Sequence, residues 1–118
     1  MNIEIKPTAL HGRIWLTKDG KNFLGKGKAE LLQHIDETGS IAKAAKLMKM
    51  SYKSAWDKVD SMNRNAGFLL VERTSGGKKG GGSKLTSDAK KLLSAYRKIE
   101  AEFDAFLARM GDSIDPSR

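Results

Sequence analysis

Between Gly39 and Asn65 the chain carries two short apolar periodicities separated by a break, and this arrangement restricts the fold more than any other stretch of its 118 residues. Gly39-Ser40 joins a helix stop to a helix start. The glycine tolerates the left-handed conformation of a C-cap, and the serine oxygen can accept from a backbone N–H in the next turn. Ile41, Ala44, Ala45 and Met48 then recur at i, i+3, i+4 and i+7, the spacing of an amphipathic helix about two turns long. Lys49-Met50-Ser51 interrupts it. Ser51 can cap a second helix in which Ala55, Val59 and Met62 form the buried stripe, with Lys53, Asp57 and Arg64 pointing the opposite way. Two short helices around a tight turn, with alanines where they approach closely, make a helix-turn-helix.

The length suits one domain with a single core, expected over residues 1 to 110, with a frayed tail from 111 to 118. There is no cysteine, so disulfides and thiolate metal sites are excluded, and His11 and His34 alone cannot complete a structural zinc site. His34 reads as an ordinary surface or rim histidine. No signal peptide opens the sequence and no apolar run approaches the roughly 20 residues a membrane helix needs, so a soluble, cytoplasmic protein without a membrane partner is expected. Charge is unevenly placed. Residues 1 to 98 carry 20 Lys and Arg against 9 Asp and Glu, while residues 99 to 118 carry 2 against 5. The basic excess therefore sits with the helix-turn-helix, which points to a polyanion.

Along the chain, Ile3, Ile5, Ile14 and Leu16 alternate with polar residues as strands with one covered face do. Asp19-Gly20 between Arg13–Thr17 and Lys21–Leu24 predicts a β-hairpin, with Trp15 as a core or hairpin anchor and no binding role. Leu31, Leu32 and Ile35 mark a helix from Lys28 to Thr38. After the Ala66-Gly67 stop, the apolar run Phe68-Leu69-Leu70-Val71 predicts a buried strand continuing to Thr74, returned by Lys84-Leu85-Thr86. The glycine- and lysine-rich stretch from Ser75 to Ser83 would be the tip of this second hairpin. It lacks the Gly-Lys-Ser/Thr ending of a phosphate-binding P-loop. A last helix is predicted from Ser87 to Met110, where Ala89, Leu92, Tyr96, Ile99, Phe103, Phe106 and Met110 are spaced alternately by three and four residues. That heptad seam predicts a dimerisation helix through Leu92, Tyr96, Ile99, Phe103, Phe106 and Met110. The expected fold is mainly α with a small β component: a winged helix-turn-helix with an N-terminal β-hairpin and a long C-terminal helix.

From Lys26 to Tyr96 the chain resembles the winged helix-turn-helix domain of ModE-type, molybdate-responsive transcription regulators. The residues that carry the resemblance are Gly39-Ser40-Ile41 with Ala44-Ala45, Ser51 to Trp56, Met62-Asn63, Leu70 to Thr74, the Gly76 to Gly82 tip and Leu85-Thr86. LysR-type regulators share a more distant version. Family members usually carry Gly where this chain has Lys49, so a left-handed conformation there should cost on the order of 1 kcal/mol. The family senses molybdate through C-terminal oxyanion-binding domains, which these 118 residues do not include. No small-molecule effector site is expected within the chain, which is either a stand-alone member or part of a longer one.

These readings converge on a homodimeric, sequence-specific regulator of double-stranded DNA, with a nonspecific or architectural nucleic-acid binder as the alternative. In such a dock the second helix of the motif enters the major groove. The expected DNA-contacting residues are Ser40, Ser51, Tyr52, Lys53, Ser54, Asp57, Lys58, Lys78, Lys79 and Lys84. Tyr52, Lys53, Ser54 and Asp57 would face base edges, and the remaining lysines would hold phosphates. Trp56, near the edge of the buried stripe, would pack first and touch the backbone second. No nucleophile and base, paired carboxylates or metal cluster can be assembled, so no enzyme activity, catalytic residue, metal ligand or cofactor is expected. The operator, the regulated genes, the sign of regulation and the signal are not encoded in these patterns.

Overall fold

A computed structural model describes residues 8–74 and 82–115. Ile3 and Ile5, as well as Lys78, Lys79 and the rest of the glycine-rich tip through Gly81, lie outside the described residues. Strands β1 (Leu16–Lys18) and β2 (Lys21–Leu24) pair antiparallel around a two-residue turn in which Asp19 and Gly20 both have positive φ, 51° and 76°. Such turns match the right-handed twist of paired strands. A register shift between Leu16 and Thr17 bulges the ladder, and the neighbours Phe23 and Leu24 both become buried, which regular strand alternation forbids. The predicted first strand, Arg13–Thr17, is thus displaced toward the turn. Residues before Leu16 leave the ladder for the C-terminal helix, where the Ile14 carbonyl accepts from the Tyr96 hydroxyl at 3.2 Å.

Helix α1 (Lys26–Thr38) begins two residues earlier than its apolar pattern indicated, at a Gly25 N-cap without a side-chain cap bond. It ends at Gly39, left-handed at φ 71°. Helices α2 (Ile41–Leu47) and α3 (Tyr52–Ala66) follow, and Lys49 between them adopts the left-handed conformation at φ 55°. Strands β3 (Val71–Thr74) and β4 (Gly82–Leu85) form the second antiparallel hairpin, and α4 runs from Ser87 to Ser113. One core joins them: Leu24, Leu31, Leu32, Ile35, Ala44, Ala55, Met62, Leu70, Ala89 and Tyr96 are all almost completely excluded from water. The alanines of α2 and α3 allow the two short helices to approach, as their spacing implied.

Several expectations are corrected. Phe68 and Leu69 are exposed, because Gly67 ends α3 in the left-handed conformation and the Asn63 side chain takes over the chain just beyond. Asn63 Oδ1 accepts from the backbone N–H groups of Leu70 and Val71, at 2.7 and 3.3 Å, so the ladder starts only at Val71. Thr86 is a helix cap rather than a strand residue: its hydroxyl oxygen accepts from Ala89 N–H at 3.1 Å and its O–H donates to the Leu69 carbonyl at 2.8 Å. Trp15 is no core anchor. With Ile14 and Leu16 directed inward, Trp15 between them turns out to solvent and stays 56% exposed. His34 is the rim residue expected, with Nδ1 3.7 Å from Glu37.

Helix α4 also continues three residues into the predicted frayed tail, to Ser113. Gly111 is buried against Ala9 and Leu10, and the Thr8 N–H donates to the Asp115 carboxylate at 3.1 Å. An N-terminal strap, residues 8 to 15, therefore runs antiparallel along α4. Gly12 lies on Phe103 and Leu107 so closely that a Cβ there would stand 2.8 Å from the Phe103 ring. Twenty-seven residues make α4 about 40 Å long and give the molecule its elongated 68 × 32 × 20 Å shape. Among the described residues no helix is long and apolar enough to cross a membrane.

Candidate nucleic-acid interface

Two serine caps set the geometry of the helix-turn-helix. Ser40 Oγ accepts from Lys43 N–H at 3.1 Å and Ser51 Oγ from Ser54 N–H at 3.0 Å, each satisfying a backbone donor that helix geometry leaves unpaired. Both serines therefore shape the helix starts, and each hydroxyl retains a hydrogen to donate. Since Ala55, Val59, Met62 and Ala66 fix the inner face of α3, its other positions fall in three strips. Lys53, Asp57 and Arg64 point outward. Ser54 and Lys58 lie toward the first hairpin, and Tyr52 and Trp56 toward the second.

Lys53 projects its ammonium almost fully into solvent, 3.0 Å from Asp57 one turn along. Arg64 makes a similar pair with Asp60 at 3.1 Å. Exposed pairs of this kind contribute little, about 0.3 to 0.5 kcal/mol, so a competing acceptor can displace them. Lys58 Nζ donates to Ser54 Oγ at 3.0 Å, which turns two of the expected contacts toward each other along the helix. On the wing, Lys84 lies 3.7 Å from Glu72 across the β3–β4 ladder.

The wing is anchored where it meets the helices. Gly82 stands so close to the Gly39 carbonyl that a Cβ would lie 2.7 Å from its oxygen, and Ser83 N–H donates to that carbonyl at 2.9 Å. Gly39 thus both ends α1 and holds β4. Asn63 fixes the other strand from α3. Sequence reasoning assigned no role to either contact, since neither a side chain reaching seven residues along the chain nor a backbone approach has a periodic signature.

Arg73 was likewise not assigned to the site. It lies two residues beyond the buried Val71 on β3, on the same face of the hairpin, and reaches the N-terminal turns of α3, where it shares a concavity of about 370 Å³ with Tyr52, Lys53 and Trp56. A second concavity, lined by Ser40, Ile41, Ala42, Tyr52, Arg73, Gly82 and Ser83, continues it toward the start of α2. The two-residue spacing of Arg73 from Val71, which places it on the helix-facing side of β3, is the signal that could have identified it. Trp56 is corrected from a packing residue to a surface one, 41% exposed, and Tyr52 is 52% exposed.

The C-terminal seam divides. Tyr96, expected at a dimer contact, is only 2% exposed and belongs to the protomer's own core. Phe103 is half-covered by the strap, and Leu92 is half-buried against the core. Ile99, Phe106 and Met110 remain exposed, as does Ile114 just past the end of α4. Among the described residues no cluster of His, Cys, Asp or Glu is arranged to hold a metal.

A chain with this winged helix-turn-helix belongs to the lysR family of bacterial regulatory helix-turn-helix proteins, whose family model matches residues 28–90. It is similar to the molybdenum transport protein ModE of Azotobacter vinelandii, at 37% identity over 92% of this chain and 40% of that protein. The DNA-binding transcriptional dual regulator ModE of Escherichia coli K12 is 45% identical over 64% of this chain and 29% of its own length. The chain therefore spans well under half the length of either relative. The crystal structure of a CbnR_DBD-DNA complex shares the fold, with a TM-score of 0.60 and 21% identity over 74% of this chain and 94% of that one.

Proposed function

We propose that the protein is a sequence-specific, double-stranded DNA-binding transcription regulator that acts as a homodimer. The observation that carries this reading is the exposed surface where the first turns of α3 meet β3, which brings Tyr52, Lys53 and Arg73 around one concavity with Asp57 beside Lys53. A helix of 15 residues with its outer strip exposed has the dimensions to enter a major groove. The basic excess of residues 1 to 98 supplies the nonspecific attraction. Lys53 and Asp57 exchange their mutual contact for base edges, Lys58 and Lys84 hold phosphates, and Ser40 and Ser51 donate to the backbone from the helix starts. Lys78 and Lys79 extend the phosphate contacts from the wing. The names of the ModE relatives and of the CbnR complex support the same partner.

The dimer rests on the Ile99, Phe106 and Met110 stripe, which the strap leaves open on an otherwise charged helix. Two-fold pairing through α4 sets two copies of α3 on successive major grooves, about 34 Å apart. Selection of bound sequences from random duplex DNA tests both parts. A palindromic site with half-sites one helical turn apart, or a multiple of that, is expected. Recovery of no preferred sequence would favour the nonspecific or architectural alternative, and a single unrepeated half-site would refute the dimer.

A further inference from the structure

Resting on the DNA-binding reading, we infer that Tyr52 and Trp56 form an apolar reader of thymine methyl groups on the wing side of the recognition helix. The two side chains lie one turn apart on α3, both substantially exposed, and wall a concavity of about 370 Å³ whose other lining residues are Lys53 and Arg73. The polar side chains of the same two turns are engaged with one another, Lys53 with Asp57 and Lys58 with Ser54, each at 3.0 Å. Among the described residues the aromatic faces have no such engagement. They stand exposed although the protomer has a core in which apolar area is better placed. Their complement in a major groove is specific: its floor is a pattern of hydrogen-bond donors and acceptors, and the thymine C5-methyl is its apolar group. Among the described residues Arg73 is in no ion pair, and it approaches from the wing rather than from α3. It binds the phosphate flanking the thymine and so fixes the register in which the rings meet the methyl.

The test replaces thymine by uracil one position at a time in the selected operator, which removes a methyl and leaves every hydrogen-bonding edge unchanged. Wild type should lose about fourfold in affinity for each buried methyl removed, at one or two positions per half-site and nowhere else. Trp56→Ala should bind the thymine and uracil duplexes alike at those positions, and Trp56→Leu should keep part of the difference. The uracil scan needs only the wild-type protein, so it decides even if a variant folds poorly. A specific operator bound equally with thymine or uracil would overturn the methyl reader and leave the DNA-binding reading standing. Selected half-sites without thymine, or full discrimination retained by folded Trp56→Ala and Tyr52→Ala, would overturn it too. Failure to bind any duplex would refute the DNA-binding reading itself.

Discussion

Asn63 illustrates how much of this fold depends on single polar side chains. Its Oδ1 serves two backbone donors at the start of β3, and its Nδ2 lies 3.4 Å from the Val71 carbonyl. Asn63→Ala would strand the Leu70 and Val71 N–H groups in a half-buried position and should cost about 1 to 3 kcal/mol in chemical denaturation. Asn63→Asp, which keeps both acceptor contacts, should cost clearly less; equal losses would mean that the acceptor is not what matters. Lys49 offers the opposite case. Relieving its left-handed strain with glycine gains on the order of 1 to 2 kcal/mol, against about 0.5 to 1 kcal/mol for the greater freedom of an unfolded glycine. Lys49→Gly should therefore raise stability slightly. At Tyr96, burial, followed by the nearby Glu100 carboxylate, raises the phenol above its ordinary value of 10.0. The unfolded chain releases this proton at a lower pH than the folded one. The stability it contributes is fully present below pH 10 and falls as the pH rises through the folded value. Tyr96→Phe should flatten that part of an alkaline unfolding curve.

Among the elements, those with periodic patterns were legible in the sequence and those placed by backbone approach were not. The α1 to α3 helices follow from their apolar spacing and from Gly39, Ser40, Ser51 and Gly67, all of which cap as their chemistry requires. The strand starting at Phe68 was misread because a run of four apolar residues carries no mark of where the Asn63 side chain interrupts it. Trp15 and Trp56 were misplaced for a related reason: large aromatic rings predict burial on average, whereas their neighbours' orientation decides it. Arg73 escaped because it reaches the interface from the wing. The wing's position depends on the Gly82–Gly39 approach. Gly82→Ala forces β4 away from the α1–α2 corner and should cost about 1 to 3 kcal/mol, read as a lowered melting temperature. A melting temperature unchanged by this substitution would show that the hairpin has room to shift.

For the whole molecule, the strap and the seam divide α4 between two tasks. Tyr96, Phe103, Leu107 and Gly111 bind the protomer's own N-terminal segment, and the adjacent Ile99, Phe106 and Met110 stripe stays exposed, the surface on which the proposed dimer rests. The heptad pattern could not reveal this, since a 3.5-residue period reads the same whether one's own chain or a partner covers it. Phe106→Glu should weaken dimerisation and operator binding together, because the carboxylate would enter an apolar contact. In sedimentation, a folded monomer with undiminished operator affinity would refute the dimer. Phe103→Glu is a poorer probe, since it also disturbs the packing of Gly12.

The claim on which the rest depends is that α3 reads sequence while the basic surface supplies general attraction. Affinity for the selected operator and for its scrambled duplex, measured across a salt series with wild type and Lys53→Ala, tests it most directly. Wild type should prefer the operator by at least about 10³. Lys53→Ala should lose about 1 to 3 kcal/mol on the operator and relax preference at one position of each half-site. Both proteins should lose affinity for scrambled DNA steeply as salt rises. A wild-type ratio near one, or a Lys53→Ala variant whose sequence preference is unaltered, would contradict the assignment of α3 as the reading element.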